Sequence, residues 1–165
     1  MQTRIVGRVW KYGDDVNTDV IFPGRYTYSI SDADEMARHA LEDLDPTFAA
    51  GVSPGDIIVA GRNWGCGSSR EQAVTCLKQA GVSAIVARSF GRIYYRNAIN
   101  QALPIVTCDA VNGVEAGEEI TIDFVAGTVI VPDGTYEFDP LPPDVLEIIE
   151  SGGLIGHIRR QLGIV

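Results

Sequence analysis

The run from Ile57 to Ala87 constrains this chain more than any other stretch. Ile57-Ile58-Val59-Ala60 is short, apolar and β-branched, the pattern of a buried strand. After the Gly-rich segment Gly61-Arg62-Asn63-Trp64-Gly65-Cys66-Gly67-Ser68, the spacing of Ala73, Val74, Leu77 and Ala80 predicts a helix over Ser69 to Ala80. Gly81 stands where a helix C-cap belongs. Ala84-Ile85-Val86-Ala87 then reads as a second buried strand. Strand, Gly-rich loop, helix and strand make a βαβ unit. Its loop leads into a helix N-terminus, where unpaired N–H groups and the helix dipole favour negative charge. Gly61, Gly65 and Gly67 allow the backbone to come close to whatever sits there.

Two nucleotide-binding motifs are excluded by the residues. A phosphate-binding P-loop needs Gly-Lys-Ser/Thr at the helix start, and this chain has Gly67-Ser68-Ser69. The dinucleotide fingerprint would put Arg70 where a small residue packs helix on sheet, and Arg88 where an acid should meet a ribose hydroxyl. What remains is Ser68, Ser69 and Arg70 in a first helical turn, chemistry suited to an anion or a developing oxyanion. A purely structural alternative makes Ser68 the N-cap, with Glu71 completing a capping box. From the residues alone both stand.

At 165 residues the chain is expected to form one domain over 1–165 with its own core. It is 45% hydrophobic and 21% charged, without an apolar run of transmembrane length or a signal-peptide pattern, so a cytoplasmic protein without membrane contact is expected. The net charge of −9 argues against nucleic acid as a partner. That charge is unevenly spread. Arg62, Arg70, Lys78, Arg88, Arg92 and Arg96 face one acid, Glu71, a local +5 that leaves −14 for the rest. A basic segment in an acidic chain suits a small anion, and arginine's fork suits a carboxylate. Arg70 is the functional candidate, while the others are equally suited to internal pairs.

Cys66, Cys76 and Cys108 show no CxxC spacing, so neither zinc nor a disulfide framework is indicated. Cys76 and Cys108 read as core residues, whereas Cys66 lies beside the expected helix N-terminus, a setting that lowers a thiol pKa. A thiol enzyme lacks a placed His or Asp partner. Neither His39 nor His157 is placed to serve a serine triad.

Elsewhere, Arg4 to Trp10 reads as an opening strand, Gly13 to Asp19 as a polar loop, and Arg25 to Ile30 as a mobile loop after Pro23-Gly24. Ser31 is placed to cap a helix over Asp32 to Leu41. Asp45-Pro46 and Ser53-Pro54-Gly55-Asp56 read as breakers. A helix over Gly91 to Gln101 and a strand at Ile105 to Thr107 follow. Then Glu119–Val125, Thr128–Val131 and Thr135–Phe138 read as antiparallel strands. Pro142-Pro143 starts a helix that Gly152-Gly153 breaks, and Leu154 to Leu162 continues it. The class is α/β with a mixed sheet.

Gly65-Cys66-Gly67-Ser68-Ser69-Arg70-Glu71 resembles the Gly-Ser-Ser-Arg-Glu signature of the aconitase superfamily. Asp14-Asp15-Val16-Asn17-Thr18-Asp19-Val20-Ile21-Phe22-Pro23 is similar to the N-terminal Asp-x-x-x-Thr-Asp-x-Ile-x-Pro motif of its isopropylmalate isomerase small subunits. Ser89-Phe90-Gly91-Arg92-Ile93-Tyr94-Tyr95-Arg96-Asn97-Ala98-Ile99-Asn100 resembles their Phe-x-Arg-Ile-Phe-x-Arg-Asn-Ala segment. Three motifs in order cover nearly the whole chain. The resemblance implies a swivelling β/β/α domain like the aconitase C-terminal domain. It implies a small subunit of a hydro-lyase that interconverts 2- and 3-isopropylmalate, in leucine biosynthesis, by dehydration and rehydration. By motif position Ser68 would be the base and Asp19 a further catalytic carboxylate. Gly67, Ser69, Arg70, Thr18 and Tyr28 would bind a dicarboxylate substrate. The chain has no three-cysteine set for a cluster, so the family's [4Fe–4S] cluster is expected on a separate large subunit, with no metal bound here.

Substrate choice is expected to turn on Tyr26-Thr27-Tyr28-Ser29. In the resembled subunits the third position is apolar for an isopropyl group and cationic for an extra carboxylate. Tyr28 offers no positive charge, so a tricarboxylate would be desolvated without a partner. Isopropylmalate or a smaller branched malate such as dimethylmalate is expected. Citramalate or homoaconitate enzymes, and a non-catalytic anion-binding regulatory domain, are the alternatives.

Overall fold

The computed structural model describes residues 3–164. The chain opens with β1 (Arg4–Lys11), in which Ile5, Val9 and the small Gly7 turn inward while Arg4, Val6 and Arg8 face out. Three short helices follow: α1 (Thr18–Ile21), α2 (Ala33–Arg38) and α3 (Phe48–Gly51). The βαβ unit comes next, as β2 (Ile57–Ala60), α4 (Gln72–Ala80) and β3 (Ala84–Ala87), then α5 (Arg92–Asn100) and β4 (Ile105–Thr107). β5 (Glu119–Asp123), β6 (Thr128–Val131) and β7 (Gly134–Glu137) form a meander, and α6 (Pro143–Glu150) and α7 (Leu154–Gln161) close the chain.

These strands form one seven-stranded sheet in the order β4-β3-β2-β1-β5-β6-β7. β1 to β4 are mutually parallel, and β5 joins the other edge of β1 antiparallel, with Ile5 opposite Ile122. Every residue of β2 and β3 is buried, as a parallel strand covered on both faces requires. One apolar cluster runs from Phe22, Trp64 and Leu77 through Ile85 and Ile105 to Ile120 and Val129. Near its edge the buried Asp56 accepts from Ser53 N–H, the Trp10 indole and Arg8. Burial opposes its charge, yet these donors hold its carboxyl below the usual range. Among the described residues no helix is long and apolar enough to cross a membrane.

Every expected strand forms, with β5 stopping at Asp123 rather than Val125 and β7 running Gly134–Glu137 rather than Thr135–Phe138. The other differences lie at helix ends and in loops. The helix after the Gly-rich loop begins at Gln72, three residues later than Ser69. Glu71 occupies its N-cap position with helical backbone and no side-chain cap, so Ser68 and Glu71 make no capping box. α2 is capped by Asp32, which accepts from Glu35 N–H, not by Ser31. The expected polar loop at Gly13 to Asp19 ends in α1, because Asn17 Oδ1 accepts from Val20 N–H and caps a single turn. α3, between the two breaker clusters, had no sequence signal of its own. The segment read as a mobile loop holds a 3₁₀ turn at Gly24–Tyr26. It is pinned by Arg25 to Asp43 at 2.8 Å and by the Tyr26 ring on His39 at 4.2 Å.

Candidate active site

The Gly-rich loop leaves β2 as a strand-like extension clamped on both sides. Toward the segment after β1, Gly65 N–H donates to Val16 O at 2.8 Å and Thr18 N–H to Cys66 O at 2.9 Å. Toward the segment after β3, Trp64 N–H donates to Ser89 O at 3.1 Å and Gly91 N–H to Trp64 O at 2.8 Å. The loop therefore sits at the C-terminal ends of three adjacent parallel strands, where α/β sheets hold ligands. Trp64 is fully buried and anchors it.

Two glycines set the path of the loop. Gly65 has φ +78°, and a Cβ there would lie 2.2 Å from Tyr94 Cγ, so the tyrosine ring fills the space a side chain would need. Tyr94 in turn donates its hydroxyl to Ala73 O at 3.0 Å, fastening α5 to α4 beneath the loop. Gly67 has φ +103°, and its Cβ would stand 3.3 Å from Thr18 Oγ1.

Past Gly67 the chain presents its polar groups. Ser68 is exposed, and its Oγ lies 3.2 Å from the Oγ1 of Thr18, which is 1% exposed. Ser69 is exposed, with its carbonyl accepting from Asn97 Nδ2 at 3.3 Å. Arg70 is largely covered. It donates through Nη2 to Asp19 and through Nη1 to Phe22 O at 3.5 Å. Gly24 lies against this pair, since a Cβ there would be 3.0 Å from Arg70 Nη2. Four residues further on, Tyr28 is fully exposed on the turn that follows.

The structure thus brings Thr18, Asp19, Gly67, Ser68, Ser69 and Arg70 together, with Tyr28 on the neighbouring turn. Of the other basic residues in 62–96, Arg62 pairs with Asp14 at 3.4 Å and Arg88 with Asp109 at 2.6 Å. Lys78 donates to the Gln101 carbonyl. The helix-N-terminal setting that would lower the Cys66 pKa does not form. With α4 starting at Gln72 the thiol is not at a helix N-terminus, and burial together with the Asp15 charge pushes its pKa up. Cys76 and Cys108 are buried, as core residues. Tyr94 and Asn97 were not assigned to the site, although their i, i+3 spacing in the third motif puts both on one face of α5. Among the described residues no group of three or more His, Cys, Asp or Glu side chains is close enough to hold a metal ion, so these residues do not fit an iron–sulfur cluster.

The profile of the aconitase C-terminal domain family matches residues 25–110, the stretch that carries the exposed serine and the arginine fork at the ends of the parallel strands. Over 160 residues the chain is 49% identical to the 3-isopropylmalate dehydratase small subunit of Clostridium beijerinckii, covering 95% of this chain and 99% of that protein. It is 49% identical over 164 residues to the methanogen homoaconitase small subunit of Methanothermobacter thermautotrophicus, covering 98% and 95%. A crystal structure of 3-isopropylmalate dehydratase from Methanocaldococcus jannaschii superposes with a TM-score of 0.91 at 38% identity, over 96% of this chain and 95% of that one. The chain belongs to the family of 3-isopropylmalate dehydratase small subunits. The resemblance read from the three motifs is borne out for family and for fold.

Proposed function

We propose that the chain is the small subunit of a cytoplasmic two-subunit hydro-lyase interconverting 2- and 3-isopropylmalate, with Ser68 as its base. The observation that carries this reading is the exposed Ser68 Oγ, with Arg70 two residues away in the same clamped loop. Ser68, as its alkoxide, takes the proton from the carbon next to the one bearing the hydroxyl and becomes a neutral hydroxyl, while the C–H electron pair becomes the double bond. The departing hydroxyl leaves as water on taking a proton from a general acid that the large subunit would supply. Water returns with the opposite regiochemistry. Arg70 binds one substrate carboxylate through its fork, and Ser69 and Gly67 border the same carboxylate. Asp19 holds the guanidinium in place. Lewis-acid activation of the substrate hydroxyl is left to a [4Fe–4S] cluster on the large subunit, so neither subunit turns over alone.

Homoaconitate is the second reading, favoured by the near-equal identity to a homoaconitase small subunit. Tyr28 argues against it, because its phenol brings no cation for a third carboxylate. The reading is tested by co-purifying the chain with an iron–sulfur large subunit and assaying both malates with each subunit alone and combined. Turnover in the combined sample alone supports it. Carboxylate binding by this chain without turnover in the complex would leave an anion-binding regulatory domain.

A further inference from the structure

Two buried polar or charged side chains stand out in the core, Asp56 and Thr18. Asp56 is satisfied by three donors. The hydrogen-bond partner of the Thr18 hydroxyl is Ser68 Oγ, at 3.2 Å. A hydroxyl that is 1% exposed has no water for its proton, and leaving a buried donor unmade is costly. Ser68 is exposed and has solvent or a bound ligand for its own proton. The hydrogen bond therefore runs from Thr18 to Ser68. Resting on the reading of Ser68 as the base, we infer that Thr18 is a positioning residue that donates to Ser68 Oγ and favours its deprotonated form.

The rest of the local structure fits a fixed donor. Thr18 opens α1, its N–H is tied to Cys66 O and its carbonyl accepts from Phe22 N–H at 3.0 Å. Its β-branched side chain has few rotamers to choose from. Gly67 leaves the space over Thr18 Oγ1 open. A donor held in place before the reaction stabilises a developing alkoxide without reorganising. Thr18 keeps its own proton throughout; the proton that moves goes from the substrate carbon to Ser68. This differs from a substrate contact by Thr18, which its burial disfavours.

The test is the kcat–pH profile of the reconstituted complex with Thr18→Val and Thr18→Ser. Thr18→Val keeps the shape and removes the donor, so kcat at neutral pH should fall about tenfold or more. The acidic limb of its profile should move up by roughly one to two pH units, with KM little changed. Thr18→Ser should restore most of the loss. A Thr18→Val complex with raised KM and an unmoved pH profile would make Thr18 a substrate contact and overturn the inference, as would a loss that Thr18→Ser does not rescue. Should Thr18→Val not fold, NMR of the unaltered small subunit decides. A slowly exchanging Thr18 hydroxyl proton close to Ser68 is expected, and its absence overturns the inference. Ser68→Ala in the same complex keeps the two levels apart. Retained turnover there removes the base reading itself, whatever Thr18 does.

Discussion

Asp19 Oδ1 accepts a hydrogen bond from Arg70 Nη2, joining residues 51 apart in the chain. Its neighbour Thr18 meets Ser68 across a separation of 50. The first turn of α1 thus grips the side chains of both Ser68 and Arg70. The Arg70 guanidinium is oriented by an acid on a different segment before any ligand arrives.

If Asp19 and Arg70 act as a unit, their substitutions should not add. Arg70→Lys keeps the charge but loses the fork, and KM for the dicarboxylate should rise about tenfold or more. Asp19→Asn should raise KM less, and the double variant should be no worse than Arg70→Lys alone. Steady-state kinetics of the three reconstituted complexes checks this. Fully additive effects would mean that Asp19 does something other than hold Arg70.

Gly65 and Gly67 should fail in different ways when changed to alanine. At Gly65 the new Cβ collides with the buried Tyr94 ring at positive φ. A loss of about 3 kcal/mol or more of stability is expected from strain and overpacking together. At Gly67 the contact with Thr18 Oγ1 is merely tight, so about 1 kcal/mol of backbone strain is expected, with a larger loss in kcat. Thermal melts of the isolated chain and turnover of the complex separate the two.

The sheet was legible because its strands announce themselves locally. Ile57–Ala60 and Ala84–Ala87 are apolar without a break, and Glu119 to Glu137 alternates between turns. The functional loop was legible as a string of residue types. Its geometry was not, since Ser68-x-x-Glu71 carries a valid local signal for a helix cap. That signal loses to the clamp made by Val16, Thr18, Ser89 and Gly91, groups distant in sequence. The same competition explains Cys66, whose pKa-lowering setting depended on a helix start that the clamp moves to Gln72. α1 and α3 were invisible because four-residue helices show no periodicity; Asn17 as a cap was the available sign of α1.

Substrate choice should follow Tyr28, fully exposed on the turn after the Pro23-Gly24 segment that borders Arg70. In the complex, kcat/KM should be higher for isopropylmalate or dimethylmalate than for homocitrate. Tyr28→Arg should raise kcat/KM for homocitrate by about tenfold, as a new partner for its third carboxylate. Homocitrate as the best substrate of the unaltered complex would reverse the assignment. No gain from Tyr28→Arg would mean that this residue does not face the variable group.

The central claim is that Ser68 removes the substrate proton, and Ser68→Ala in the complex with the large subunit tests it most directly. Both turnover and deuterium exchange at the substrate carbon from heavy water should be followed, together with binding of the large subunit. Ser68 makes no helix cap, but its loss strands the buried Thr18 hydroxyl, so about 1–3 kcal/mol of stability should go. Subunit binding should be kept, while kcat and exchange fall by about 10²-fold or more. A variant complex that keeps more than about a tenth of kcat, or exchanges deuterium at the unaltered rate, would contradict the account.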